Sequence, residues 1–220
     1  MRWQHPRDGL ISPSDFVPLA EETGQIAPLG EFVLRQACEQ ALQWQRGGYD
    51  MFSVAVNVSP SQLRNESFPE TVKIVLEATQ LKPQFLELEL TETSLMQNTE
   101  AGIKTLESLR QLGVRIAIDD FGTGYSSLGY LKRLPIDSVK LDASFVKDAT
   151  TDPDDAALVM AIITLAHNLR LKVIAEGIER EDQFAFLRLL RCDEGQGYLF
   201  GKPASSREWL HRSPQRKQAS

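Results

Sequence analysis

Cysteine is scarce in this sequence: only Cys38 and Cys192 occur among 220 residues, and neither sits in a CxxC or a Cys/His cluster. That excludes a disulfide framework and a thiolate zinc site, and it fits reduced thiols in a cytoplasmic protein. Histidine is scarce too. His5, His167 and His211 have no metal-ligand spacing and read as surface or helix residues. Positive charge is outweighed, with 24 Lys and Arg against 30 Asp and Glu, a net charge of −6 and a pI near 5.2. A broad basic face for DNA or an anionic membrane is therefore not expected. No apolar run approaches the ~20 residues of a spanning helix, and Met1 to Arg7 is too polar for a secretory signal. No internal repeat, Gly-x-Ser-x-Gly elbow or G-x-G-x-x-G fingerprint is present. Only Ser213 to Ser220 has the composition of a disordered tail, so residues 1–212 read as one domain.

An apolar fraction of 42% is enough to fill a substantial core. Short β-branched or alternating runs predict strands at Phe52 to Val58, Phe85 to Thr91, Val114 to Asp119, Ser138 to Leu141, Lys172 to Glu176 and Gly197 to Phe200. Helical spacing of apolar residues predicts helices at Ser14 to Glu22, Gly30 to Gln45, Pro69 to Thr79, Glu100 to Leu112, Tyr125 to Leu131, Asp154 to Leu169 and Arg180 to Leu190. Ser14 stands where an N-cap would, while Gly113 and Gly47-Gly48 follow their helices as stop signals. Strands alternating with helices imply a parallel sheet with right-handed crossovers, either open and doubly wound or closed as a (β/α)8 barrel. Polar residues favour the barrel, because they recur where strands end: Asn57, Glu89 with Glu92, Asp119 with Asp120, Lys140, Glu176 with Glu179, and Gln196 just before the last strand. A barrel gathers such groups on one rim, whereas an open sheet concentrates them at one switch point.

Asp119-Asp120 emerges from the apolar strand Val114 to Ile118, and two carboxylates so close repel unless a cation lies between them. An isolated Asp-Asp is more often a strand-end turn. This pair has Glu89, Glu176, Asn57 and Gln196 in matching positions on other strands, which makes an all-oxygen ligand set suited to Mg²⁺ or Mn²⁺. Glu87 and Glu89 share one strand face, and an acidic face turned into a barrel needs a cation; turned to solvent, these are ordinary surface charges. Lys140, flanked by apolar residues, is placed either to pair with a carboxylate or to orient a water at the metal. The stretch from Asp120 to Leu128 offers backbone N–H groups to a phosphate, which by itself is weak evidence.

Several ordered segments resemble the EAL domain of bacterial cyclic-di-GMP phosphodiesterases. They are Arg2-Trp-Gln-His-Pro, Gly9-Leu-Ile-Ser-Pro, Phe16-Val-Pro-Leu-Ala-Glu-Glu-Thr-Gly, Val56-Asn-Val-Ser, Glu89-Leu-Thr-Glu, Ile118-Asp-Asp-Phe-Gly-Thr-Gly-Tyr-Ser-Ser-Leu, Val139-Lys-Leu-Asp, Ala175-Glu-Gly-Ile-Glu and Gln196-Gly-Tyr-Leu-Phe-Gly-Lys-Pro. The resemblance runs from Arg2 to about Pro203. It implies a modified (β/α)8 TIM-like barrel and hydrolysis of cyclic di-GMP to linear pGpG at two Mg²⁺ or Mn²⁺ ions. By resemblance, Asn57, Glu89, Asp119 and Glu176 hold one metal and Asp120 a second. Lys140 contacts the attacking water, Glu179 and Gln196 complete the water and metal network, and Arg2 contacts the substrate phosphate. Glu92 tethers the loop after Asp120, the element that links the metal site to homodimerisation in this family.

The family's Glu-Ala-Leu stands a few residues before the Arg-Trp pair, and here only Met1 precedes Arg2. The expectation is an EAL barrel lacking its N-terminal strands, with an incomplete metal site and weak or lost turnover. The parent protein is then expected to be longer, with GGDEF or sensor domains. A module that binds cyclic di-GMP without cleaving it is the alternative. A barrel glycosidase with Glu89 and Glu176 as its paired carboxylates is a third reading, but it leaves Asp119-Asp120, Lys140 and Gln196 without a role.

Overall fold

The computed structural model describes residues 3–49, 51–96, 100–124, 128–206 and 208. It opens on an antiparallel hairpin, β1 (Trp3–His5) and β2 (Gly9–Ile11), which periodicity had not predicted because each strand is only three residues long. Its signal is the turn Pro6-Arg-Asp-Gly9, in which Gly9 takes a positive φ of 75° at no steric cost. Two helices follow, α1 (Pro13–Glu22) and α2 (Ile26–Arg46). Ser12, not Ser14, is the N-cap of α1, since Pro13 with its fixed φ already occupies the first helical position. Gly48 (φ 94°) lies just beyond the end of α2 and Gly113 (φ 90°) beyond that of α6 (Glu100–Gln111), as stop signals require.

The remaining strands alternate with helices. In order they are β3 (Val54–Asn57), α3 (Pro60–Leu63), α4 (Phe68–Thr79), β4 (Leu86–Thr91), α5 (Glu92–Met96), then α6, β5 (Arg115–Phe121), α7 (Leu128–Leu131) and β6 (Ser138–Leu141). The series ends with α8 (Ala143–Asp148), α9 (Pro153–Asn168), β7 (Lys172–Ala175), α10 (Glu181–Leu189) and β8 (Glu194–Gly195). All six of these strands pair in parallel and in chain order, β3-β4-β5-β6-β7-β8. This is the α/β half-barrel arrangement of a TIM-like fold.

Period-two alternation explains which residues face where. Leu86, Leu88 and Leu90 of β4, Ile116 and Ile118 of β5, Val139 and Leu141 of β6 and Val173 and Ala175 of β7 lie in one buried core. Leu34 and Cys38 of α2, Val72 and Val75 of α4, Leu106 and Leu109 of α6, and Ile162 and Ile163 of α9 complete it. The alternate positions are Asn57, Glu87, Glu89, Asp119 and Lys140, so the opposite, concave face of the sheet is polar. Cys38 and Cys192 are free thiols, and burial pushes each up to about 11.

The last strand differs from expectation. Pairing brings β7 beside Glu194 and Gly195, and Gly197 to Phe200 folds as a turn, with the Phe200 N–H donating to the Gly197 carbonyl (3.1 Å). Gly197 lies so close to the Ile178 backbone that no Cβ fits there. Gln196 therefore follows the last strand instead of preceding it. Tyr125 to Ser127, the start of one expected helix, and the tail Ser213 to Ser220 lie outside the described residues, as do Arg2 and His211.

Candidate metal centre

Lys140 lies at the centre of the polar face and is 4% exposed. Its Nζ meets Glu176 Oε1 at 2.7 Å, Glu89 Oε1 at 2.9 Å and Asp119 Oδ1 at 3.0 Å. Strand order produces this convergence, because β6 lies between β5 and β7 while Glu89 reaches across from β4. Asn57 of β3 adds a fourth strand by donating Nδ2 to Glu89 Oε2 (3.2 Å). Asn57 itself is exposed on the edge strand.

Asp120 turns back toward the same cluster through a left-handed backbone, with φ 54°, and its N–H donates to Asp119 Oδ1 at 3.2 Å. A non-glycine residue at such a φ is held there by its surroundings and commonly marks a functional site. Asp119, Asp120 and Glu176 each present a carboxylate oxygen within 4.8 Å of the others. Three carboxylates meet one ammonium and Asp120 adds a fourth beside Asp119 and Glu176, so the cluster keeps an excess of negative charge.

The titration shifts follow from that excess. Burial pushes the Glu89 and Glu176 carboxyls up, and Lys140 only partly offsets it. Burial also raises Asp120, and the charges of Asp119, Asp142 and Glu176 raise it further. For Lys140, burial acts to lower the ammonium, but Glu89, Glu176 and Asp119 outweigh it and hold the group above its usual range. All-oxygen donors with surplus negative charge fit a hard divalent cation.

Glu92, at the start of α5, is 2% exposed and braces the loop after β5: its Oε2 accepts from the N–H of Gly122 (2.9 Å) and of Gly124 (3.4 Å). Its Oε1 has no hydrogen-bond partner among the described residues. Glu179 and Gln196 stand exposed at the exits of β7 and β8. Their backbones are fixed, by Gln183 Oε1 accepting from the Glu179 N–H and by the Gln196 N–H donating to the Ala175 carbonyl (2.8 Å). Of the expected residues, Glu89, Asp119, Asp120, Lys140 and Glu176 converge, Asn57 joins them through Glu89 and Glu92 holds the neighbouring loop; Glu179 and Gln196 are fixed through their backbones only, and Arg2 lies outside the described residues.

Asp142 and Gln183 had no role in the sequence reading. Asp142 follows Lys140 by two residues and N-caps α8 by accepting from the Ser144 N–H (2.9 Å). Burial acts to raise its carboxyl, but hydrogen bonds from Ser144 and the Ala143 backbone outweigh this and leave it low. A carboxylate directly after a strand was the available signal. An apolar cavity of about 550 Å³ lies elsewhere, lined by Trp3, Phe16, Leu19 and Phe32, and none of the carboxylates borders it.

The family model of the EAL domain matches residues 1–203. The bifunctional diguanylate cyclase/cyclic di-GMP phosphodiesterase MucR of Pseudomonas aeruginosa is 46% identical over 210 residues, covering 96% of this chain and 31% of MucR. The cyclic di-GMP phosphodiesterase NbdA of the same organism is 47% identical over 203 residues, covering 92% of this chain and 26% of NbdA. The chain thus spans about a third or less of the length of these relatives. The solved PaMucR phosphodiesterase in complex with c-di-GMP superposes with a TM-score of 0.90 at 46% identity, covering 95% of this chain and 85% of that one.

Proposed function

The chain belongs to the EAL domain family, and from that premise we propose that it binds cyclic di-GMP and hydrolyses one phosphodiester bond to give linear pGpG at two Mg²⁺ or Mn²⁺ ions. The observation that carries the reading is the convergence of Asp119, Asp120 and Glu176 within 4.8 Å beside a buried lysine. The names of MucR and NbdA and the ligand of the PaMucR structure support the substrate.

Asn57, Glu89, Asp119 and Glu176 would hold one ion and Asp120 the other. Divalent ions supply Lewis acidity toward the phosphoryl oxygens and make a water more acidic. Lys140 keeps three mutually repelling carboxylates together and orients the attacking water. Glu179 and Gln196 complete the hydrogen-bonded rim around that water, and Glu92 keeps the loop after Asp120 in place. Arg2 takes a substrate phosphate.

Turnover by this chain is weak or lost in this reading, since Asn57, one of the proposed metal ligands, lies exposed on the edge strand. A second reading, a binding module that holds cyclic di-GMP without cleaving it, draws on Lys140, an internal cation already satisfying three carboxylates. Among the described residues no helix is long and apolar enough to cross a membrane; the compartment we propose is the cytoplasm, where thiols such as Cys38 and Cys192 stay reduced. Its parent carries further domains of the GGDEF or sensor kind, and homodimerisation runs through the loop after Asp120.

Calorimetry tests the binding half of this reading. Mn²⁺ is expected to bind the wild-type protein, and cyclic di-GMP to bind more tightly with Mn²⁺ than with EDTA. The Asp119→Asn variant is expected to lose the metal response. Equal affinity for cyclic di-GMP in both conditions would remove the metal from the account.

A further inference from the structure

Gln183, at the third position of α10, is 2% exposed, and a buried amide is costly unless its hydrogen-bonding groups are satisfied. Its side chain has an acceptor oxygen and two N–H donors. Oε1 accepts from the backbone N–H of Glu179 and of Arg180, both at 2.9 Å. Nε2 donates to the carbonyls of Val146 (3.2 Å) and Lys147 (3.0 Å) in α8.

A helix cap needs only the first kind of bond, to Arg180, the N-cap residue of α10. Glu179 lies outside the helix, in the loop that begins with Glu176 at the exit of β7. The two bonds to α8 reach a different βα unit, the one carrying Lys140 and Asp142. Two further features press the same loops together. Ala143 Cβ lies only 2.5 Å from where a Cβ on Gly177 would be, and Arg180 donates to the Lys147 carbonyl (3.3 Å) and to Thr150 Oγ1 (2.9 Å). Arg180 is exposed and screened by water, so the dry link between the loops is Gln183.

We propose that Gln183 is a positioning residue of the metal centre, locking the β7 exit loop that carries Glu176 and Glu179 onto α8 so that those carboxylates stay in register with Lys140. The proposal rests on the metal-dependent reading above and adds a residue that touches neither metal nor substrate. Partners that orient metal ligands change metal affinity about 10–100-fold when removed.

Gln183→Glu separates the lock from the cap, since it keeps an oxygen for the two N–H groups but sets an oxygen in place of the amide nitrogen opposite the two α8 carbonyls. Amide exchange of Glu179 and Arg180, Mn²⁺ affinity, and kcat and KM for cyclic di-GMP are measured on wild type and variant. The expected result is native-like slow exchange at both amides, Mn²⁺ binding weakened about tenfold or more, and a lower kcat at nearly unchanged KM. Gln183→Leu, which removes all the bonds, is expected to speed exchange at both amides.

Wild-type Mn²⁺ affinity in Gln183→Glu would reduce Gln183 to a helix cap and overturn the proposal, as would failure of that variant to fold. A wild-type protein that binds Mn²⁺ but forms no pGpG contradicts the hydrolytic reading alone, and the ratio of Mn²⁺ affinities then decides the role of Gln183. A wild-type protein that binds no Mn²⁺ overturns both.

Discussion

Lys140 is the residue on which the centre depends electrostatically. Its ammonium is buried among Glu89, Asp119 and Glu176, and removing it leaves carboxylates without a counter-charge in a poorly solvated place. Lys140→Met is therefore expected to destabilise the fold by about 3–5 kcal/mol, the usual result of breaking a buried ion pair from one side. Urea unfolding measures it, and saturating Mn²⁺ should restore part of the loss by supplying another cation. A stability change below about 1 kcal/mol, typical of a surface pair, would show that the cluster is hydrated instead. Lys140 and the Asp119-Asp120 pair were legible in the sequence because charges set among apolar strand residues must face one another somewhere. Gln183 was not legible: a glutamine three residues into a helix looks like any other, and all its partners are backbone groups that only the fold brings near.

At the scale of elements, alternation located β3 to β7, because a sheet with one apolar and one polar face writes that pattern into its strands. It failed where elements are shortest. The three-residue strands of the opening hairpin are too brief to show a period. The apolar run Tyr198-Leu-Phe mimics a strand, yet Leu199 packs on the core while Tyr198 and Phe200 stay exposed. Gly197 fixes this end of the sheet. Ile178 donates its N–H to the Gln196 carbonyl and accepts from the Leu199 N–H, each at 3.0 Å, which draws the β8 exit onto the β7 exit loop. Gly197→Ala would force a methyl group into the Ile178 backbone and is expected to cost about 1–3 kcal/mol, as overpacking does. Since Gln196 and the β7 exit loop move with it, Mn²⁺ affinity should fall too. Thermal unfolding and Mn²⁺ titration check the two effects, and an unchanged melting midpoint would mean that the two loops are not in contact.

The whole molecule divides its chemistry by face: leucine, isoleucine and valine between sheet and helices, carboxylates and a lysine on the concave side. That division, rather than the overall charge of −6, is how an acidic protein would accept the anionic substrate proposed above, because metal ions bound on the concave side would reverse the local sign. The barrel class was legible from six polar strand ends. The mutual distances among those ends were not, since they depend on how the strands curve and stagger. Chromatography of cyclic di-GMP incubated with the protein tests the hydrolytic account most directly. Linear pGpG is expected to accumulate, slowly, with Mn²⁺ and to stop on adding EDTA, and Asp119→Asn should produce none. Tight binding of cyclic di-GMP with pGpG no greater than in a protein-free blank would contradict the account and leave a receptor in place of an enzyme.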